Sequence, residues 1–343
     1  MPAVNKGKVL VTGCNGYVAV WVVKTLLEEG FSVRGTVRRE SAIPYLKQLF
    51  SSYGDKFEVV IVPDITKEGA FDEAVKGVDA IEHTASPFHF NAEDPEELLA
   101  PAIAGTLSVL KSALKNANDT VKRIVVTSSV AAVMTPDPNE RHFSEKDWND
   151  YSVREVETKG RASSNVDKYL ASKTLAERAA WKFMEEHKGE VKFDLVCINP
   201  PYVYGPFLQE VKNPESLNTS ALEFYNSVVK GNKTKEQLTT IGAAWVDVRD
   251  VGLAHVRALQ KPEAGGERII TSAGSWVWQD FVSVAHKIDP TLPEGDTSYD
   301  PSKARYTQYF DNSKSKRLLD LEYHTIEECT RDSLAQFKQL GWY

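Results

Sequence analysis

The chain has 343 residues, of which 42% are hydrophobic and 26% are charged, and its net charge is −7. This is an ordinary globular composition, and the length predicts two domains or one large α/β domain with a lobe. The acidic balance and the lack of a long basic run argue against nucleic acid or an anionic membrane as partner, so we expect a small-molecule partner.

The cysteines and the amino-terminal residues indicate the compartment. Cys14, Cys197 and Cys329 are widely spaced and odd in number, which predicts neither a disulfide framework nor a zinc site. We therefore expect no metal. The first eight residues carry no signal-peptide core and no run of 18 apolar residues occurs, so we expect a cytoplasmic protein without a membrane anchor.

The stretch from Lys8 to Ala19 reads KVLVTGCNGYVA and predicts a strand, a glycine turn and a helix that runs to about Glu29. Gly13 can take the tight turn, Gly16 allows a pyrophosphate to approach the backbone, and the small Ala19 lets the helix pack on the strand. The amide groups of a helix start attract anions. The spacing therefore predicts a dinucleotide-binding turn rather than a simple glycine turn.

Strand-like and helix-like segments alternate through the first half of the chain. We predict further strands at 31–37, 57–62, 80–85 and 121–127, and helices at 42–52, 71–75 and 98–115. This alternation predicts an α/β fold, a Rossmann-type doubly wound parallel sheet with its ligand at the carboxyl ends of the strands. Residues 1–199 and about 241–256 would form this domain, and about 200–240 and 257–343 a smaller C-terminal α+β substrate lobe.

Two later motifs are better explained by structure than by chemistry. The basic run KSKRLL at 314–319 fits a helix start with a solvated face. Asp247 and Asp250 could act as paired carboxylates in acid–base chemistry, but Asp250 stands just before a helix-like segment and is predicted to be its N-cap.

The second strand indicates which nicotinamide cofactor is bound. A site for NADH usually carries an acidic residue at this strand end, which holds the ribose 2′-hydroxyl. Here the strand ends in Arg38 and Arg39, with Arg34 further inside. Because a guanidinium suits a 2′-phosphate, we predict NADPH rather than NADH.

A proton-transfer centre is predicted where the fifth strand ends in Ser128 and Ser129. Tyr169 and Lys173 are four residues apart in a helical segment and therefore lie on one face of it. A nearby ammonium would lower the pKa of the tyrosine, which could then give a proton to a carbonyl oxygen, while a serine hydroxyl holds that oxygen. Lys173 could also hold the nicotinamide ribose. Alone, this spacing is more often a packed tyrosine beside a snorkelling lysine.

Taken together with the segments at 62–67, 83–88, 126–129, 199–206, 217–220, 246–250 and 311–319, these motifs resemble the extended short-chain dehydrogenase/reductases nearly end to end. The resemblance is greatest to fungal NADPH-dependent aldehyde and ketone reductases of the methylglyoxal reductase type. It implies that Ser129 is the catalytic hydroxyl, Tyr169 the proton donor and Lys173 its partner. It further implies a set of cofactor contacts: Gly13, Asn15, Gly16, Tyr17, Val18, Arg38, Asp64, Ile65, Thr84, Ala85, Tyr169, Lys173, Pro200, Val203 and Ser220. The yeast-like pattern has a lysine where this chain has Ala42, for which Arg39 would compensate.

The residues expected to wall the substrate pocket are mostly apolar or aromatic: Phe88, Phe90, Val130, Met134, Tyr202 and Tyr204. Such a wall predicts hydrophobic or aryl aldehydes and ketones as substrates, although some of these side chains would pack in the lobe instead. The alternatives are a cinnamoyl-CoA or dihydroflavonol type of reductase, a sugar-nucleotide epimerase, and a catalytically silent regulator that senses NADPH. We expect a monomer or a homodimer.

Overall fold

The computed structural model describes residues 3–86 and 92–343, and every structural statement below refers to them. The strands are β1 (Lys8–Thr12), β2 (Ser32–Val37), β3 (Phe57–Ile61), β4 (Ala80–His83), β5 (Arg123–Thr127), β6 (Arg141–Phe143), β7 (Asp194–Asn199), β8 (Tyr202–Tyr204), β9 (Gly242–Asp247), β10 (Arg268–Ile270), β11 (Gly274–Val277) and β12 (Gln308–Phe310). The helices are α1 (Tyr17–Glu28), α2 (Ile43–Leu49), α3 (Glu96–Asn116), α4 (Asp150–Lys159), α5 (Asn165–Glu186), α6 (Thr219–Phe224), α7 (Lys235–Thr240), α8 (Val248–Gln260), α9 (Trp278–Ile288), α10 (Ser313–Leu319) and α11 (Ile326–Gln339).

The main sheet has seven strands in the order β3-β2-β1-β4-β5-β7-β10, and all neighbours are parallel. The chain order reverses between β1 and β4, where Thr12 lies opposite His83. In open α/β sheets the ligand crevice lies at this reversal, beyond the carboxyl ends of the strands. The predicted doubly wound sheet is confirmed, and it brings the Gly13 turn next to the segment that follows β4.

Helices cover both faces of the sheet, which fits the apolar runs in β1, β5 and β7. One face packs against α1 and α8, and the other against α3 and α5. By length and composition, α3 is apolar enough to cross a membrane. More than half of its apolar window is buried against the rest of the protein, as expected of a core helix.

A smaller unit beside the carboxyl edge of the main sheet is formed by β8, β9, β11, α6, α7, α9 and α11. In a three-stranded sheet, β9 pairs with β8 in parallel and with β11 in antiparallel register. An aromatic cluster that includes Tyr204, Trp276, Trp278 and Phe281 fills the space between this sheet and α9. In the stretch at about 241–256, which the sequence placed in the dinucleotide-binding domain, β9 belongs to the small sheet. In the stretch at about 257–343, which the sequence placed in the lobe, β10 belongs to the main sheet. The residue boundaries of the two predicted domains stay a prediction.

Two local predictions were wrong. Residues 71–75 form turns rather than a helix, because Gly69 and Gly77 take positive φ angles of 72° and 70° and leave too short a segment between them. Phe71 and Val75 are nevertheless buried in the core.

The second correction concerns the cap of α8. Asp247, and not Asp250, is the N-cap, and its carboxylate accepts the backbone N–H of Arg249 at 2.9 Å. The helix starts directly after β9 without a loop, so Asp250 lies in its first turn. The predicted helix at 314–319 is present as α10.

Candidate active site

The turn after β1 forms a cradle that only glycine can line. Gly13 has a φ of 64°, and a Cβ there would lie 3.1 Å from the Cβ of Ala85. The Thr12 hydroxyl accepts the backbone N–H groups of Thr84 and Ala85 at 3.1 and 3.0 Å, which ties the end of β4 to this turn. The predicted residues Gly13, Thr84 and Ala85 are therefore brought together.

The first turn of α1 faces this cradle. Gly16 is the N-cap of α1. In the part of the chain that the structure describes, no capping side chain bonds the backbone N–H groups of the first turn, which include those of Tyr17 and Val18. Asn15 is exposed in the turn. The Tyr17 hydroxyl points away, since it donates to the carbonyl of Gly205 at 2.8 Å. Tyr17 can thus offer its backbone N–H to an anion, while its ring joins the helix to the lobe.

Arg34 lies in β2 and Arg38 directly follows this strand, and the two arginines have different surroundings. Arg34 is committed to structure, because it donates to Glu58 at 2.8 Å and to the carbonyls of Ala74 and Lys76 at 2.9 and 2.7 Å. Arg38 is exposed beyond the carboxyl end of β2, on the ligand side of the sheet. Arg38 is therefore the residue of the two that can meet a 2′-phosphate.

The other predicted cofactor residues lie on loops along the same edge. Asp64 follows β3, and its bonds from the hydroxyl and backbone N–H of Thr66 lower the pKa of its carboxyl. Ile65 packs against Gly105 of α3. The Ser220 hydroxyl donates to the carbonyl of Val203 at 2.8 Å.

Ser129 and Tyr169 come together at the end of β5. The Tyr169 side chain is hydrogen-bonded to Ser129, whose hydroxyl also accepts the N–H of Ala131 at 3.1 Å and lies 3.4 Å from the carbonyl of Pro200. The expectation of a lowered tyrosine pKa was wrong. Burial dominates and raises the pKa of Tyr169 to about 12, while the bond with Ser129 opposes that rise. The phenol therefore keeps its proton at neutral pH.

Lys173 lies one helical turn from Tyr169 on α5. Its ammonium donates to the Ser86 hydroxyl at 3.0 Å, and burial lowers the pKa of Lys173 to about 8. Burial, together with the charge of Lys173, lowers the pKa of the neighbouring His83 to about 4, so this imidazole is neutral. Lys173 is then the cation of this corner of the site.

The predicted substrate wall is only partly formed by the residues proposed for it. Tyr202 is 47% exposed, and its phenol acts electrostatically on Tyr169. Tyr204 was predicted wrongly, because it is 0% exposed within the aromatic cluster of the lobe. Val130 is buried in a small apolar cluster that the half-buried Met134 contacts. Phe88 and Phe90 lie outside the described residues.

Some polar residues of the site were missed from the sequence. Ser86 is the hydrogen-bond partner of Lys173. It was missed although the sequence pointed to the two residues just before it, Thr84 and Ala85. Glu177 binds Ser128 and Asn199 from one turn beyond Lys173. Its spacing of four residues from Lys173 was visible in the sequence, but its partners are distant along the chain.

A family model, NAD dependent epimerase/dehydratase family, matches residues 9–274, which include both the glycine turn and the Ser129–Tyr169–Lys173 group. The chain belongs to this family. Its relatives within the family include reductases that match it over almost their full length. The NADPH-dependent methylglyoxal reductase GRE2 of Saccharomyces cerevisiae is 35% identical over 96% of this chain and 97% of its own.

Two further relatives cover the chain as fully. The ketoreductase azaE of Aspergillus niger is 38% identical over 95% of this chain and 96% of its own, and the cinnamoyl-CoA reductase CAD2 of Medicago truncatula is 35% identical over 99% and 98%. Among solved structures, yeast methylglyoxal/isovaleraldehyde reductase Gre2 complexed with NADPH superposes with a TM-score of 0.86 at 34% identity, covering 98% of this chain and 100% of that one.

Proposed function

We propose that this protein is an NADPH-dependent carbonyl reductase that converts hydrophobic or aryl aldehydes and ketones to alcohols. The observation that carries the proposal is the hydrogen bond between Tyr169 and Ser129 at the carboxyl edge of the sheet, with Lys173 one helical turn away. The named activities of the yeast and Aspergillus relatives support the same class of reaction.

Tyr169 acts as the proton donor. Its raised pKa keeps the phenol protonated, so that it can give its proton to the carbonyl oxygen as negative charge develops there. The Ser129 hydroxyl donates a hydrogen bond to the same oxygen and holds it in line. Lys173, one helical turn away on α5, is assigned the task of stabilising the charge left on the phenolate until a proton returns.

The residues of this edge fit NADPH. The Gly13 turn leaves space that a Cβ would fill, the helix start at Gly16 has no side-chain cap in the described structure, and Arg38 offers a guanidinium. We assign Gly13, Asn15, Gly16, Tyr17 and Val18 to the phosphates and Arg38 to the 2′-phosphate. When bound, NADPH supplies the hydride that reduces the carbonyl carbon.

The further cofactor contacts are proposed on position alone. We propose that Asp64 and Ile65 contact the adenine. Thr84, Ala85, Pro200, Val203 and Ser220 would complete the cleft, and Tyr169 and Lys173 would lie at its nicotinamide end. Tyr202 is proposed to face the substrate because it is exposed and its phenol acts on Tyr169, and Met134 because it is half-buried beside Val130. A pocket of this kind favours apolar substrates.

We infer that the enzyme works in the cytoplasm, as a monomer or homodimer, on small molecules rather than on nucleic acid or membranes. The three cysteines support a reducing compartment, since Cys14, Cys197 and Cys329 are free and buried. The net charge of −7 supports a small-molecule partner.

The test is turnover of NADPH with a panel of aryl ketones, aliphatic aldehydes and methylglyoxal, with cinnamoyl-CoA as the comparison substrate. We expect Tyr169→Phe to lower kcat by about 10²- to 10⁴-fold and to leave the Kd for NADPH unchanged, because the phenol acts in proton transfer. Tyr151→Phe, at an exposed position of α4, is the matched control and should keep full activity.

The outcomes separate the alternatives. Folded protein that binds NADPH but turns over nothing would support a silent regulator, and a strong preference for cinnamoyl-CoA would support that second class of reductase. A Tyr169→Phe variant with the wild-type rate would remove Tyr169 from the proposed role.

A further inference from the structure

Glu177 is a buried carboxylate that the proposed mechanism leaves without a task. It lies on α5 one turn beyond Lys173 and is 2% exposed. The Ser128 hydroxyl and the Asn199 amide, the latter at 2.8 Å, donate to one carboxylate oxygen. The other oxygen accepts Arg268 Nε at 2.5 Å and Trp181 Nε1 at 3.2 Å. Glu177 therefore joins α5 to the ends of β5, β7 and β10.

This network reaches the peptide that carries the catalytic hydroxyl. Asn199 Nδ2, besides bonding Glu177, donates to the carbonyl of Ser129 at 3.0 Å. Ser128 is the residue before Ser129, so Glu177 holds Ser129 through the preceding side chain and through its own carbonyl. The direction of the Ser129 hydroxyl toward Tyr169 depends on where this peptide is held.

The charge of Glu177 is balanced by Arg268. The guanidinium also donates to the carbonyls of Glu145 and Asp147 at 2.8 and 2.7 Å, and it stacks 3.6 Å above the ring of Trp148. A buried ion pair is often no more stabilising than apolar residues of similar volume. Its stability contribution therefore does not explain why a polar network stands at this place.

A small cavity connects the network with Lys173. It has a volume of about 20 Å³, and its walls include the polar side chains of His83, Ser128, Lys173 and Glu177. Glu177 and Lys173 thus line one small space of mixed polar and apolar walls.

We propose that Glu177, paired with Arg268, is a positioning residue that fixes the Ser129 hydroxyl for the reduction. This inference rests on the proposed reductase function. Without the carboxylate, Ser128 and Asn199 lose their shared acceptor, and the Ser129 peptide can shift by the fraction of an ångström that disrupts its alignment with Tyr169.

The test replaces the pair by apolar residues of similar size, Glu177→Leu with Arg268→Met, so that no buried charge is left alone. The matched control is the double variant Arg123→Met with Asp194→Leu. Arg123 and Asp194 form a second buried ion pair, with bonds of 2.7 and 2.8 Å, at the opposite ends of β5 and β7. Thermal unfolding and NADPH binding establish that both variants are folded.

We expect the Glu177 pair variant to lower kcat by about 10- to 100-fold with little change in the KM for NADPH, whereas the Arg123 pair variant keeps its kcat. In a Ser129→Ala background the same replacement should lower kcat by less than about threefold, because Glu177 acts through Ser129. An unchanged kcat, or an equal loss in both backgrounds, would overturn the inference.

A second measurement needs no turnover, and so separates this inference from the proposed function. In protein labelled with 3-fluorotyrosine, the fluorine resonance of Tyr169 is assigned from its loss in Tyr169→Phe. The Glu177 pair variant should move this resonance in the same direction as Ser129→Ala does, and the Arg123 pair variant should leave it in place. A resonance that stays in place in the Glu177 pair variant contradicts the positioning role even if the wild-type protein reduces none of the carbonyls tested.

Discussion

At the scale of single residues, burial makes the charge of Lys173 depend on pH in an accessible range. Its pKa is lowered to about 8, while the pKa of Tyr169 is raised to about 12. Between these values the phenol keeps its proton but the ammonium loses its own. We therefore expect kcat/KM for NADPH, which reports the free enzyme, to be level below about pH 8 and to fall above it.

Substitutions on α5 check the source of this fall. Lys173→Met has no charge to lose, so its profile should be flat and its rate at neutral pH reduced about tenfold or more. Lys182→Met, at an exposed position of the same helix, should keep the wild-type profile. If the Lys173→Met profile still fell above pH 8, another group would be titrating.

At the scale of elements, Arg34 within β2 and Arg38 directly after it have separate tasks. Arg38→Ala should weaken NADPH binding about 10- to 100-fold and leave NADH binding nearly unchanged, because it removes charge-assisted bonds to the 2′-phosphate alone. Arg34→Ala breaks the bonds to Glu58 and to the turn at Ala74. The Arg34→Ala variant should lower the free energy of unfolding by about 1–3 kcal/mol without changing the ratio of the affinities for NADPH and NADH. Equal weakening of NADPH and NADH by Arg38→Ala would refute the contact.

The elements also show which parts of the fold could be predicted. β1 to β5 were all found within two residues of their observed bounds. β1, β3 and β5 contain apolar runs, as expected of strands covered on both faces, whereas β2 and β4 also carry polar residues. The segment at 71–75 has the apolar spacing of a helix, but its length is set by the flanking glycines. The buried place of Tyr204 and the bonds of Glu177 depend on partners far along the chain, which local spacing does not encode. Tyr169 and Ser129 could be predicted because each follows a recognisable motif.

At the scale of the whole molecule, one ion pair joins the helix α8 on the main sheet to the segment that leads into α11. His324 Nδ1 lies 2.5 Å from Asp250 Oδ1, and the His324 backbone N–H donates to the other carboxylate oxygen at 3.0 Å. The bond with Asp250 raises the pKa of His324 above its ordinary 6.5, although burial opposes the rise. Burial raises the pKa of the Asp250 carboxyl, so the charged pair stabilises the fold from above that raised pKa up to about pH 6.5, and this contribution is lost as the pH rises through the raised pKa of His324.

We expect His324→Gln to lower the free energy of unfolding by about 1–2 kcal/mol near pH 6, with the difference from wild type shrinking toward pH 9. Urea unfolding at a series of pH values measures this difference. His142→Gln is the control, because His142 and its partner Glu140 are both exposed and their contact contributes little. A His324→Gln deficit that grows with pH would have the wrong sign for this pair. It would show that the contact between α8 and the segment before α11 is held by the neutral imidazole instead.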